Sequence, residues 1–191
     1  MLKTFFVYFQ AEDVKEVFEL SVKKILEQET SIKDWCQSET SSSLLQCLLT
    51  VLSKFNVKLC KKLAKFLTNE VFSEISNIFQ QQQPLIRLME TLIQVSGSCE
   101  NMDKIFNHFY TTLFKGNISK ICTDPVSGKF SVQKLIQNCK NKELFEKIYE
   151  EELDNNIGLF LQSGSGILLA IAQTCRSLKS KQAHFLVVCK V

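Results

Sequence analysis

Apolar residues return at helical intervals along almost the whole of this chain, and that periodicity constrains its fold more than any other feature. Residues 11–28, AEDVKEVFELSVKKILEQ, gather Val14, Val17, Phe18, Leu20, Val22 and Ile25 largely on one face. Glu12 and Asp13 precede them, and negative charge suits a helix start. The same reading predicts short helices near 40–53, 57–67, 69–79, 83–96, 101–114, 117–122, 128–139, 142–152, 155–161, 165–177 and 179–188. Only 6 Gly and 2 Pro punctuate 191 residues, too few for a β protein with a turn about every ten residues. The fold class is all-α.

Many short helices with short connections fit either a bundle or a solenoid, and internal repetition separates the two. The stretch DPVSGKFSVQKLIQNC, residues 124–139, aligns with QSGSGILLAIAQTC, residues 162–175, at a constant offset of 36. Gly128 then falls on Gly164, Val132 on Leu168, Gln133 on Leu169, Ile136 on Ala172 and Cys139 on Cys175. Weaker copies lie upstream in SSSLLQCLLTVLS and PLIRLMETLIQVS, where Gln46 and Glu90 hold the place of Gln133. Spacings of 44, 43 and 36 describe one degenerate module of about three helices. An α-solenoid follows, because each module can bury its apolar face only against its neighbours. The expected organisation is an N-terminal helical flank over 1–39 and about four repeats over 40–191. Beyond Gln182 the chain runs AHFLVVCKV, with no polar capping helix, so it reads as a partial version of a longer array.

Several function classes find no support. The net charge of +3 is mild for a nucleic-acid-binding domain. Eight cysteines sit at 36, 47, 60, 99, 122, 139, 175 and 189, none at zinc-site spacing, and reduced, buried thiols are expected. The opening MLKTFFVYFQ is ended by Gln10, Glu12 and Asp13 too early for a signal or spanning helix, which points to cytosol or nucleus and no membrane. His108 and His184 lack His or Cys partners at metal spacing, and no nucleophile motif surrounds them. No catalytic residue, metal or cofactor is expected. The acidic run Glu150, Glu151, Glu152 and Asp154 reads as a solvated loop and helix end. In QSGSG, Gly164 and Gly166 lack the preceding strand and following Lys-Ser/Thr of a phosphate loop, so close packing at a helix start explains them better.

The helix opening KFSVQKLI, together with SSLLQ, IRLME and SGILL at the matching places, resembles the repeats of the nucleolar Pumilio-like RNA-binding proteins of the nucleolar protein nine family. The resemblance covers roughly residues 40 to 185. It implies that the inner helix of each repeat offers its first, second and fifth side chains to RNA. Here these are Ser42, Ser43 and Gln46; Ile86, Arg87 and Glu90; Lys129, Phe130 and Gln133; and Ser165, Gly166 and Leu169. First and fifth residues lie one turn apart, an amide can both donate and accept at a base edge, and an aromatic or Arg can stack on a base. Ile86 cannot bond an edge, Ser43 stacks poorly and Lys129 replaces a small polar residue, so a base-by-base code is not expected. The resemblance implies RNA held by shape, backbone and occasional stacking. It also implies a monomer in the nucleolus of the nucleus, acting on pre-rRNA in small-subunit biogenesis, with pre-ribosomal particle proteins as further partners.

Two questions stay open at this level. Phe130 lies off the centre of the stripe Val132, Leu135 and Ile136, so it either packs or stacks. Lys58, Lys61, Lys62 and Lys65 form a stripe at i, i+3, i+4, i+7 in a stretch, Lys54 to Thr68, that contains no acid. Such a stripe is either a solvated outer face or a phosphate-contacting one. The competing function is a HEAT-like scaffold gripping a protein helix without touching RNA.

Overall fold

Most of the apolar stripes close into helices, and the described helices group around four central ones. The computed structural model describes residues 11–28, 31–72, 83–99, 102–124, 128–163 and 165–189. A leading helix, α1 (Ala11–Leu26), is followed by α2 (Ile32–Gln37), α3 (Glu39–Phe55) and α4 (Val57–Glu70). Next come α5 (Gln83–Ser98) and α6 (Asp103–Phe109), then α7 (Ile118–Cys122), α8 (Gly128–Asn138) and α9 (Lys142–Ile148). The last group is α10 (Ile157–Ser163), α11 (Ser165–Leu178) and α12 (Gln182–Val188). Every described element is helical or irregular.

The central helix of each group packs on the central helix of the next, α3 on α5, α5 on α8 and α8 on α11. These four contacting helices are the four sequence copies, and together they make one layer of a curved α-solenoid. Flanking helices fill the remaining apolar sides: α2 and α4 on α3, α6 on α5, α7 on α8, and α10 and α12 on α11. The core is continuous, and Phe109, Tyr110, Phe114, Phe145, Tyr149 and Phe160 are among its fully buried side chains. Burial of each stabilises by roughly 1.5–3 kcal/mol before conformational entropy is counted. Polar side chains lock the register between modules. Ser42 donates to the Pro84 carbonyl at 2.7 Å, and Thr174 donates to the Ile136 carbonyl at 3.1 Å.

Three local expectations change. The helix α2 was not legible as one, since six residues carry too little periodicity, yet Ile32 and Cys36 are buried against the layer. The predicted break near 68 does not occur, α4 running unbroken to Glu70, and most of the helix expected over 69–79 lies outside the described residues. The final helix begins at Gln182 rather than 179. Lys179 and Lys181 take φ values of 51° and 57°, left-handed conformations that interrupt a right-handed helix.

The acidic run is a larger correction. Residues Tyr149–Leu153 form a π-helical turn at the end of α9, as Tyr110–Phe114 do at the end of α6. The carboxylates of the second turn reach across both module boundaries. Glu152 is buried and accepts from the Gly116 N–H, while Glu151 takes Lys115 at 3.2 Å and the Tyr110 hydroxyl at 3.5 Å. Glu150 pairs with Lys181, and Asp154 with His184 at 2.9 Å. The run therefore brackets three modules: it closes a helix end with Glu150 and Glu151 exposed, as expected, but it is not a loop and Glu152 is buried.

All eight cysteines are free. Burial pushes the thiols of Cys36, Cys60, Cys122 and Cys139 up to about 12, which keeps them protonated and inert at neutral pH.

α5 closely approaches the end of α8. A Cβ added at Gly97 would sit 2.1 Å from the Asn138 carbonyl oxygen, a backbone atom that cannot move without parting the helices. Gly97→Ala is expected to destabilise the protein by about 1–3 kcal/mol in chemical denaturation. Helix propensity alone predicts the opposite sign, a gain of up to about 1 kcal/mol.

Candidate functional site

One edge of each central helix stays uncovered, and the sequence explains which. On α3 the buried stripe is Ser42, Leu45, Leu48, Leu49 and Leu52, so Ser43 faces away from it and Gln46 lies at its border. The same logic exposes Arg87 and leaves Glu90 at the border on α5, and it exposes Phe130 and leaves Gln133 at the border on α8. On α11 it exposes Leu169. Second and fifth positions thus recur along one face of the layer.

Phe130 lies outside the core, its side chain 53% exposed. The Lys129 ammonium lies 5.6 Å from the ring centroid, within cation–π range. Gln133 is half-buried, and its Oε1 occupies the space above Gly166, 2.7 Å from where a Cβ would stand. Close packing at the glycine pair is therefore observed for Gly166. Gly164 and the side chain of Ser165 lie outside the described residues.

First positions behave differently from expectation. Ser42 has no exposed surface, and its hydroxyl is donated to Pro84 while accepting from Gln46 Nε2 at 3.2 Å. It is a packing residue and cannot face a base edge in this arrangement. The physical reason is that α5 closes over that flank of α3, and Ile86 is buried likewise on α5. Gln46 is also engaged at its other end, where Oε1 accepts from Thr91 at 3.5 Å.

Glu90 repeats this bridging. It accepts from Ser131 at 3.3 Å on the next central helix. Its carboxyl is raised above the usual range, chiefly by desolvation, against the opposing pull of Lys134, the Ser131 hydrogen bond and Arg87. Fifth positions therefore touch the following central helix in three successive modules. Thr91 and Lys134 border this face and the buried Ser131 anchors Glu90 beneath it, although no motif flagged them. Their one sequence signal is that they are polar beside an apolar stripe.

The lysine stripe lies elsewhere. Lys58, Lys62 and Lys65 are exposed and Lys61 half-buried on α4, which packs on α1, α3 and α6 and so belongs to the flanking layer. His108 meets Asn69 at 3.1 Å and His184 meets Asp154. Among the described residues no cluster of three His, Cys, Asp or Glu is placed to hold a metal, and no helix is long and apolar enough to cross a membrane.

A stack of short helices around four central ones, with one polar and aromatic edge left uncovered, is the architecture of a Pumilio-type repeat array. The family model described as the NOP9-like PUF repeat domain matches residues 11–190, and the chain belongs to that family. No curated protein and no solved structure matches the chain.

Two predictions follow from the bridging side chains. With its folded pKa raised, Glu90 favours folding below its unfolded pKa, and that contribution is lost as pH rises through the folded value. Glu90→Gln should therefore raise the melting temperature at pH 7 and leave it unchanged well below about pH 4, where the wild-type carboxyl is also neutral. Gly166→Ala should dislodge only the flexible end of Gln133 and gain up to about 1 kcal/mol in helix propensity. The expected readout is a shifted Gln133 side-chain amide resonance with no loss of melting temperature.

Proposed function

We propose that the face of α3, α5, α8 and α11 holds single-stranded RNA by stacking, backbone contact and shape rather than by one base per repeat. The observation that carries this reading is Phe130, a large aromatic ring left half in water with a cation beside it. Leaving it exposed forgoes apolar burial, whereas a stacked base recovers it. Gln133 meets the edge of the stacked base and Lys129 reaches a phosphate. Arg87 offers a second stacking plane, Glu90 an acceptor, and Ser43 and Gln46 a weaker polar contact. Ser165 holds the equivalent place in the last repeat.

The protein acts in the nucleolus, as a monomer, on ribosomal precursor RNA during small-subunit maturation, beside pre-ribosomal particle proteins. The family description and the order of the motifs around KFSVQKLI support this part of the reading. The first repeat is best drawn from α2, which packs on α3 as α7 packs on α8, leaving α1 as the flank. A second reading, a scaffold for a protein helix, is favoured by Leu169, an exposed apolar residue at a fifth position.

Phe130→Ala separates the readings. Loss of a stacked base costs about 1–3 kcal/mol of RNA affinity, with little change in melting temperature because the ring is exposed. Gln133→Ala should alter preference among bases at constant salt slope, and Lys129→Ala should do the reverse. Unchanged RNA affinity in Phe130→Ala sinks the stacking role. Binding to a protein partner that barely responds to salt favours the scaffold.

A further inference from the structure

An open cleft of about 240 Å³ lies between α1 and α4, lined by Glu19, Lys23, Asn56, Lys58, Leu59 and Lys62. Three lysines from two helices converge there, and among the described residues no carboxylate lies within ion-pair distance of them. Mutual repulsion of three ammonium groups around one concavity is relieved by an anion. The single acid on the wall does not serve that purpose. Asn56, the N-cap of α4, accepts from the Leu59 N–H at 3.1 Å and donates from Nδ2 to Glu19 Oε1 at 2.8 Å. That tether holds the carboxylate against the helix start.

We infer that this cleft is a second RNA contact, separate from the inner face, taking a backbone phosphate on Lys23, Lys58 and Lys62 and an adjacent ribose 2′-hydroxyl on Glu19. It rests on the reading of the protein as RNA-binding and answers the second open question of the sequence, the purpose of the lysine stripe. Glu19 points to the class of occupant. Three lysines outnumber it, so the cleft still attracts an anion, and its carboxylate accepts a hydrogen bond from a sugar hydroxyl, a donor that an acidic side chain lacks. Leu59 supplies an apolar floor for the sugar, and Lys65, one turn further along α4, extends the basic track.

The test uses the whole chain and a short labelled single-stranded RNA of mixed sequence, with DNA of the same sequence as control, titrated by fluorescence anisotropy over a range of salt. Simultaneous Lys23→Glu, Lys58→Glu and Lys62→Glu should weaken RNA binding roughly tenfold or more and flatten the logarithmic salt slope by about 0.7 per phosphate lost. Circular dichroism melting should be unchanged, since all three side chains are exposed; the corresponding Lys→Gln variant serves if charge reversal disturbs folding. Glu19→Ala should lower the ratio of RNA to DNA affinity. An unchanged slope in both lysine variants overturns the phosphate site, and an unchanged ratio overturns the hydroxyl contact. Competition by a poly-glutamate peptide as effective as unlabelled RNA overturns the assignment to RNA. If the lysine variants weaken binding while Phe130→Ala does not, the cleft stands and the inner-face reading falls; the reverse pattern removes the cleft alone. A wild-type chain that binds no RNA overturns both.

Discussion

The contact of one central helix with the next is the constraint on which everything else rests. α3, α5, α8 and α11 are each apolar over too wide an arc for their own flanking helices to cover, so each needs its neighbour. Close approach is enforced by backbone contact at Gly97 and by hydroxyls that spend their hydrogen bonds across the joint, Ser42 on Pro84 and Thr174 on Ile136. A buried hydroxyl without such a partner would cost free energy, so these bonds select one register among the slides that apolar packing alone would tolerate.

That packing also determines what the exposed face can offer. Neighbouring helices cover the first positions of the first two repeats, which on the proposed RNA reading would leave a base edge there to the border residues. Gln46, Glu90 and Gln133 each lean onto the next helix. Their polar ends are already partly committed within the protein, so on the proposed reading RNA would compete with Thr91, Ser131 and the surface above Gly166 to engage them. A face of this kind suits tolerant binding through rings and backbone better than strict recognition of sequence.

The π-helical turns show how a helical array joins its modules electrostatically as well as by apolar contact. One acidic segment reaches back to Lys115 and Gly116 and forward to Lys181 and His184. Exposed pairs of this sort contribute little individually, and Glu152, buried and bonded to a backbone N–H, is the member whose desolvation makes its partner matter most.

By itself, the sequence determined the helical class, the four central helices and the offsets between them. Those features follow from periodicity along one chain: the spacing of Leu45, Leu48, Leu49 and Leu52, or of Val132, Leu135 and Ile136, specifies a helix and its buried side without reference to anything distant. It also marked Lys129, Phe130 and Gln133 as unusual at a helix opening. Only the tertiary structure decided which of those side chains reach water. Phe130 and Ser42 occupy adjacent positions of one repeat pattern, second and first, yet one is half exposed and the other sealed, because the neighbouring helix closes over one flank only. From sequence alone the acidic run is partly misread and the lysine stripe left open for the same reason: a charge on a helix surface has no fixed meaning until the helix across from it is placed. Placement put Glu152 against Gly116 and brought Lys58 and Lys62 to the same cleft as Lys23, residues more than thirty apart whose juxtaposition no local pattern encodes.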